Sequence, residues 1–187
     1  MNRTMKQEST RLSYALLGLL QQKPASGYDL RKIFTETPMA NMSDSPGAIY
    51  PALRRLEERK LISSAVEHGP GLRQRRILRI TGSGLAELTE WLKTPLKEED
   101  VADRLDEIML RFAFSDSVIG EAATLEFLQS LESLLKRYLA KLKQHLESNK
   151  TKMRTSSRLA LENGAFGYEA QLKWTKHAIT IYTRKVK

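Results

Sequence analysis

The chain has 187 residues, 41% of them hydrophobic, and its 31 Lys and Arg against 22 Asp and Glu give a formal net charge of +9. This length allows one large domain or two small ones, and the positive charge favours a polyanionic partner, nucleic acid before an anionic membrane surface. The absence of cysteine excludes disulfides, Cys-ligated zinc, iron–sulfur clusters and thiol catalysis. No run approaches the roughly 20 apolar residues of a membrane span, and the polar N-terminus predicts no secretory signal, so we expect a cytoplasmic protein.

Three short helices are predicted in the first 60 residues. The first, residues 12–20, is apolar on almost every side and too short to span a membrane, so we expect it to be buried in the core. Residues 23–25 end it, and Ser26 caps a second helix that runs from Gly27 to about Thr37. The apolar anchors of this second helix are Tyr28, Ile33 and Phe34.

The third helix has the clearest start signal in the chain. Ser45 can accept hydrogen bonds from free N–H groups, and Pro46 falls at the first helical position, where its missing N–H costs little. The spacing of apolar residues predicts one buried face, formed by Ile49, Ala52, Leu53 and Leu56. The opposite face presents Gly47, Tyr50, Pro51 and Arg54, with Arg55 at its edge.

Pro51 breaks a local rule in this third helix. We expect it to lie past the first turn, where the missing backbone hydrogen bond costs roughly 3 kcal/mol. A broken local rule inside a well-signalled helix is a reason to suspect function. A short helix with a basic and aromatic outer face could enter a DNA major groove.

A β-hairpin is predicted after Lys60. Residues 61–67 contain β-branched side chains, residues 73–80 alternate in polarity, and a Gly-Pro-Gly turn separates them at residues 69–71. The second strand carries four arginines, Arg73, Arg75, Arg76 and Arg79. Thr81 begins a fourth helix whose buried face is expected to contain Leu85, Leu88 and Leu92, with Trp91 alongside. This order of elements indicates a winged helix-turn-helix, with the hairpin as the wing.

A domain boundary is predicted at Thr94-Pro95, which a charged stretch follows at residues 97–100. We therefore expect a winged helix-turn-helix domain at residues 1–94 and an all-helical domain at residues 95–187, in a mainly α fold with a small β-hairpin. Up to Pro95 the chain has 15 Lys and Arg against 9 Asp and Glu, and beyond it 16 against 13. The positive excess is thus concentrated in the first domain.

The second domain is predicted to hold long helices that pair with a second copy of the chain. Leu105, Ile108, Met109 and Phe112 form one apolar stripe, and Ser117 is expected to cap a helix that ends near Glu147. The last helix has a coiled-coil-like seam with alternating steps of four and three residues. Because these helices do not easily close a core among themselves, we predict a homodimer. Its interface is expected to contain Leu128, Leu135, Leu161, Tyr168, Leu172, Ile179 and Tyr182.

Three segments resemble the PadR family of bacterial transcriptional regulators. They are residues 27–30 (GYDL), residues 45–57 (SPGAIYPALRRLE) with the specific Tyr50-Pro51 pair, and residues 76–81 (RILRIT) with Gly84. The segment 106–112 (DEIMLRF) and the helices after it look like the C-terminal domain of the virulence activator AphA. Lys60 and the sequence 76–78 depart from the family, which often has Gly at the first position and commonly has Tyr in the wing. The resemblance implies a dimeric winged helix-turn-helix protein that binds a roughly palindromic promoter element.

Double-stranded DNA is therefore the expected partner. The third helix would supply base and phosphate contacts, its N-terminus would meet a phosphate, and the wing would flank the minor groove or the phosphates. Tyr28 has two equally supported roles, a phosphate contact or packing against the third helix. The residues expected to bind DNA are Tyr28, Ser43, Ser45, Gly47, Tyr50, Pro51, Arg54, Arg55, Arg73, Gln74, Arg75 and Arg76. Arg79 lies nearer the core and is a candidate for a structural ion pair.

Enzyme chemistry has little support. The three histidines lie far apart without the spacing of metal ligands, and an acidic turn at residues 103–107 is more typical of a solvated or dimer-facing surface. We expect no catalytic residue, metal site or cofactor. Trp91 and Trp174 are candidates for a pocket that binds a small-molecule effector, although core packing is the commoner role of such residues.

Two other functions remain as alternatives. The winged domain could be a protein-interaction module whose basic face meets an acidic partner. A basic amphipathic membrane binder is the third alternative, but it leaves the hairpin and the Tyr50-Pro51 pair unexplained, so we expect no membrane partner.

Overall fold

The computed structural model describes residues 9–36, 46–68 and 74–186, and the chain divides into two compact units, residues 1–93 and 94–187. The described residues of the first unit form four α-helices, three strands and one 3₁₀ turn. They are α1 (Arg11–Gln22), β1 (Ala25–Ser26), α2 (Gly27–Glu36), a 3₁₀ turn (Pro46–Ala48), α3 (Ile49–Glu58), β2 (Ile62–His68), β3 (Gln74–Ile80) and α4 (Gly82–Lys93). The mainly helical fold with a winged helix-turn-helix is thus confirmed.

The sheet is antiparallel with the strand order β1-β3-β2. The hairpin of β2 and β3 is confirmed, and its register pairs Ser64 with Leu78 and Val66 with Arg76. Strand β1 was not predicted, because two residues are too few to show a period. It pairs Ala25 with Leu78 and so ties the start of α2 to the wing.

The core of the first unit lies around α1. This helix is buried on most sides, as expected, and Leu16 and Leu17 have no exposed surface. The predicted inner face of α3 is confirmed, since Ile49, Ala52, Leu53 and Leu56 are all buried. Packing of α3 against α1 and the hairpin therefore holds the opposite face of α3 outward.

The interpretation of Pro51 needs correction. A 3₁₀ turn precedes the helix, and the α-helix begins only at Ile49. Pro51 is therefore the third helical residue, and the first turn of a helix has no internal partner for its N–H groups. The expected cost of a lost hydrogen bond does not arise.

Two residues expected to be buried are exposed. Tyr28 is 63% exposed and so does not anchor α2, whose buried residues are Leu30 and Phe34. Leu85 is 40% exposed, whereas Leu88 and Leu92 of the same predicted face are buried, as is Gly84. Helical spacing indicates which residues share a face, but the neighbouring elements decide how wide the buried part of that face is.

Helix α3 ends in a Schellman motif that places Lys60 in the left-handed region with φ of 59°. The Lys60 N–H donates to the Glu57 carbonyl at 2.9 Å, and the Leu61 N–H donates to the Leu56 carbonyl at 2.9 Å. A left-handed conformation suits glycine, so the backbone of Lys60 is strained.

The second unit contains three further helices, α5 (Glu98–Asp103), α6 (Leu105–Asn149) and α7 (Thr155–Val186). Helix α5 was not predicted, because its charged residues indicate a domain boundary when they follow Pro95. Its three acidic residues lie in the first turn, where negative charge stabilises a helix. The expected helix start at Ser117 is wrong, since this side chain donates to the Phe114 carbonyl within α6. The interruption lies at Gly120, where φ is 84° and ψ is 165°.

The core of the second unit closes within one chain. Leu128 and Leu135 are fully buried, and Tyr182 is 9% exposed in the same cluster. The other predicted interface residues that pack against this cluster are Tyr168, Leu172 and Ile179, while Leu161 is half-buried. Several predicted interface residues thus also pack within one chain, and a dimer contact through this seam stays a prediction.

Lys60→Gly is expected to raise the free energy of unfolding by about 1 kcal/mol, because it relieves the left-handed strain at the end of α3. Urea unfolding followed by circular dichroism measures this change. Lys60→Ala removes the same charge but keeps the strain, so it should not stabilise. Equal gains for both variants would contradict the assignment.

Gly84→Ala is expected to lower the free energy of unfolding by about 2–3 kcal/mol, because the added methyl group overpacks the site. A Cβ at position 84 would lie 2.0 Å from the Leu61 carbonyl oxygen and 2.9 Å from Ile80 Cγ1. Gly82→Ala is the matched control in the same helix, because a Cβ there meets nothing within 4 Å. The two variants should differ clearly in the midpoint temperature of thermal unfolding. Similar midpoints would contradict the close approach of residue 84 to the Leu61 carbonyl oxygen.

Candidate nucleic-acid interface

The outer face of α3 is exposed in all the residues predicted to form it. The side of the helix that faces away from the core is exposed, and Tyr50 is 50% exposed. Its exposed residues are Gly47, Tyr50, Pro51, Arg54 and Arg55. The buried inner face fixes this presentation, since the two faces share one backbone. The exposed face combines two cationic groups with an aromatic side chain that carries a hydroxyl.

Helix α2 lies beside this face at its N-terminal end. An ideal Cβ on Gly27 would lie 3.1 Å from Tyr50 Cε1, so the absence of a side chain at position 27 lets the Tyr50 ring approach. The adjacent Tyr28 is exposed and does not pack into the core. Its two expected roles, a phosphate contact and packing against α3, both stay predictions.

Together these elements and β3 form a cavity of about 570 Å³, which we call the front groove. Its lining residues are Ser26, Gly27, Tyr28, Tyr50, Leu53, Arg54, Glu57, Arg76 and Leu78. The groove therefore brings together residues of α2, the outer face of α3, and the wing.

The start of α2 is fixed by a reciprocal cap. The Ser26 hydroxyl donates to Asp29 Oδ2 at 2.6 Å, and the Asp29 N–H donates to Ser26 Oγ at 3.2 Å. These hydrogen bonds from Ser26 lower the pKa of Asp29, and the charge of Arg75 lowers it further. The predicted cap at Ser26 is thus confirmed.

Glu57 is a functional candidate that sequence reasoning missed. It lies in the last turn of α3, and Arg76 Nη2 donates to both of its carboxylate oxygens at 2.6 Å. The Ser64 hydroxyl of β2 also donates to Glu57 Oε1 at 2.6 Å. These hydrogen bonds, first that of Ser64 and then that of Arg76, lower the pKa of Glu57. Its only sequence signal was an acidic residue three positions after Arg54 on the same helix.

The predicted cations of the wing differ in their surroundings. Arg76 is paired with Glu57, and Arg79 is paired with Glu67 at 2.7 Å, as its candidate structural role anticipated. Gln74 and Arg75 are exposed at the start of β3. Arg73, Ser43 and Ser45 lie outside the described residues.

A second network holds the C-terminal end of α3. Arg59 Nη2 donates to both oxygens of Glu87 on α4 at 2.8 Å, and Arg59 Nη1 donates to Ser9 Oγ at 2.6 Å. The arginine and glutamate side chains are only about one quarter exposed. This pair positions α3 relative to α4 and contacts the residue that follows the undescribed N-terminal segment.

The two tryptophans pack against aromatic neighbours within their own units. Trp91 stacks on Tyr14 with ring centroids 4.3 Å apart, and Trp174 meets Phe112 edge to face at 5.2 Å. These contacts account for both residues as packing groups. Over residues 9–36, 46–68 and 74–186, no cluster of three or more His, Asp or Glu residues could hold a metal ion. In the same ranges no helix is both long and apolar enough to cross a membrane.

A known protein family matches the segment of the chain that contains the front groove. Residues 16–90 match the model of the transcriptional regulator PadR-like family. The N-terminal unit is similar to this family over these residues. This segment runs from α1 almost to the end of α4 and includes every residue that lines the front groove. The likeness of the second unit to AphA lies outside the matched residues and stays a prediction.

The individual relatives are also PadR proteins. The negative transcriptional regulator PadR of Bacillus subtilis is 29% identical over 122 residues, which are 65% of this chain and 65% of that protein. The chain therefore matches just under two thirds of the length of this relative.

Two solved structures are similar to the chain. Bacillus subtilis PadR in complex with operator DNA is 24% identical, with a TM-score of 0.43, over 92% of this chain and 99% of that one. A PadR-like transcriptional regulator from Bacillus cereus is 24% identical, with a TM-score of 0.44, over 95% and 98% of the two chains.

Proposed function

We propose that this protein is a cytoplasmic transcriptional regulator that binds a roughly palindromic promoter element as a homodimer. One observation carries the proposal. The outer face of α3 displays Tyr50 and Arg54 next to Tyr28 of α2, on a helix whose inner face is buried. An exposed helix of this size fits the major groove, where side chains can reach base edges.

The charge of the surface supports DNA as the partner. Arg54 and Arg55 on α3 and Arg75 on β3 are exposed, and the first half of the sequence carries most of the positive excess. Cations that meet phosphates supply affinity, and the contacts of α3 with base edges supply sequence preference. We assign Arg54 and Tyr50 to base or phosphate contacts, and Gln74 and Arg75 to the backbone beside the wing.

The PadR-like match supports the same proposal from an independent direction. The curated relative is a negative transcriptional regulator, and Bacillus subtilis PadR has been solved with operator DNA. We extend DNA binding to this chain because the matched residues include the complete front groove.

Dimerisation would use a surface of α7 that the intramolecular core leaves uncovered. Leu159 is 51% exposed and Phe166, seven residues later on the same side of the helix, is 65% exposed. These two side chains form an apolar stripe on the side of α7 that faces away from the buried Ala165, Thr175 and Tyr182, and this stripe is available to a second copy of the chain.

A dimer would present two copies of α3 to one duplex. Its two-fold axis would then match an inverted repeat, with half-sites about one helical turn apart or somewhat more. A small-molecule effector that favoured one spacing of the two wings would shift the population that can bind DNA.

Selection of DNA from a randomised pool with the purified full-length protein tests the proposal. The expected result is an enriched inverted repeat bound by one dimer. A folded dimer that retains heparin or calf-thymus DNA without sequence preference would support the protein-interaction module instead. Repeating an unsuccessful selection with metabolites from a cell extract tests whether an effector is required.

Arg54→Ala is expected to weaken binding to the selected duplex tenfold or more, because it removes a cation from the outer face of α3. Fluorescence anisotropy with a labelled duplex measures the loss. Lys173→Ala removes the same charge from an exposed position on α7 and serves as the control. Equal losses in the two variants would mean that only net charge matters and would remove Arg54 from the interface.

Phe166→Lys is expected to shift the protein from dimer to monomer, because it places a charge in the proposed α7 contact. Sedimentation equilibrium measures the dissociation constant of the dimer. Leu85→Lys changes an exposed apolar residue of α4 in the other unit and should leave the dimer intact. An unchanged dissociation constant for Phe166→Lys would exclude this surface.

A further inference from the structure

The front groove contains one carboxylate among its basic and aromatic residues. Glu57 lies on α3 one turn after Arg54, so it belongs to the helix that is proposed to enter the major groove. Its side chain is 33% exposed, which leaves it accessible from the groove. A carboxylate repels the phosphates of DNA, so its presence on this surface calls for an explanation.

The contacts of Glu57 give that explanation. Its two oxygens accept from Arg76 on β3, and one of them also accepts from the Ser64 hydroxyl on β2. The acidic side chain of α3 is therefore attached to both strands of the wing. Arg76 remains 62% exposed, so phosphates in solution can reach it and compete with Glu57.

The pair also changes the charge that the groove presents. Glu57 and Arg76 neutralise each other, and hydrogen bonds from Ser64 and Arg76 keep the pKa of Glu57 low, so the carboxylate is charged at neutral pH. Among the described residues that line the groove, Arg54 is then the only cation without an ion pair. Without Glu57 the same groove would present two cations to the DNA backbone.

We propose that Glu57 holds Arg76 away from DNA phosphates and thereby weakens binding to non-specific DNA. This inference rests on the proposed function. Binding to non-specific DNA is almost entirely the sum of phosphate contacts and released counterions. Withdrawing one wing cation reduces that sum, whereas contacts between α3 and the bases of the operator are retained.

The test compares four full-length proteins, the wild type, Glu57→Gln, Glu58→Gln and the double variant Glu57→Gln with Arg76→Ala. Glutamine keeps an oxygen that can accept from Ser64, and circular dichroism checks that the fold is unchanged. Glu58 is an exposed carboxylate on the same helix, so its variant controls for the gain of one unit of net charge. Binding to sheared calf-thymus DNA and to the selected duplex is measured from 50 to 200 mM salt.

Glu57→Gln is expected to steepen the salt dependence on calf-thymus DNA by about 0.9, the contribution of one phosphate contact. This corresponds to about a threefold larger loss of affinity between 50 and 200 mM salt. Glu58→Gln should change the slope by less than half of this amount. The double variant should return to the wild-type slope, because no released arginine remains and its net charge equals that of the wild type.

Two results would overturn the inference while leaving the proposed function intact. Glu57→Gln could behave as Glu58→Gln, which would show that Arg76 is not withheld. The double variant could keep the steeper slope of Glu57→Gln, which would show that the effect does not pass through Arg76. A wild-type protein that enriches no DNA sequence, either alone or with metabolites from a cell extract, would instead overturn the proposed function, and this inference with it.

Discussion

Burial of the inner face of α3 is the constraint on which the candidate interface depends. Ile49 and Ala52 have no exposed surface, and Leu53 and Leu56 are nearly as buried. These four residues fix the rotation of the helix about its own axis, so Tyr50 and Arg54 must face outward. The interface is therefore a consequence of the core, and a change to the packing beneath α3 would alter the residues that the outer face presents.

Ion pairs then decide which of the many basic groups are available. Arg59, Arg76 and Arg79 each bind a carboxylate of another element, so formal charge overstates the number of cations that a polyanion meets. The pairs that are half exposed stabilise the fold by about 1 kcal/mol at most. Their larger effect is on where positive potential remains, which is on Arg54, Arg55 and Arg75 at the front of the unit.

Much of the fold follows from local patterns in the sequence. The apolar period of α3, the alternation of the hairpin and the cap at Ser26 are signals within a few residues, and the structure agrees with them. Tyr28 and Leu85 were misjudged because exposure depends on which element covers a residue. The interruption at Gly120 was missed since a single glycine is tolerated in many helices.

The candidate site was less predictable than the fold. The outer face of α3 could be predicted because it is the complement of an apolar stripe. The pairing of Glu57 with Arg76 could not, because it requires the docking of α3 on the hairpin and the register that places Ser64 and Arg76 beside one carboxylate. Side chains separated by 19 positions show no joint pattern in a single sequence.

The placement of the two tryptophans has a practical consequence. Each compact unit holds one of them, Trp91 in the first and Trp174 in the second, and each packs on a different aromatic partner. Replacing either one with phenylalanine would leave a single tryptophan, whose fluorescence reports on one unit alone. Intrinsic fluorescence can therefore follow the melting of each unit separately in the intact chain, without an added dye.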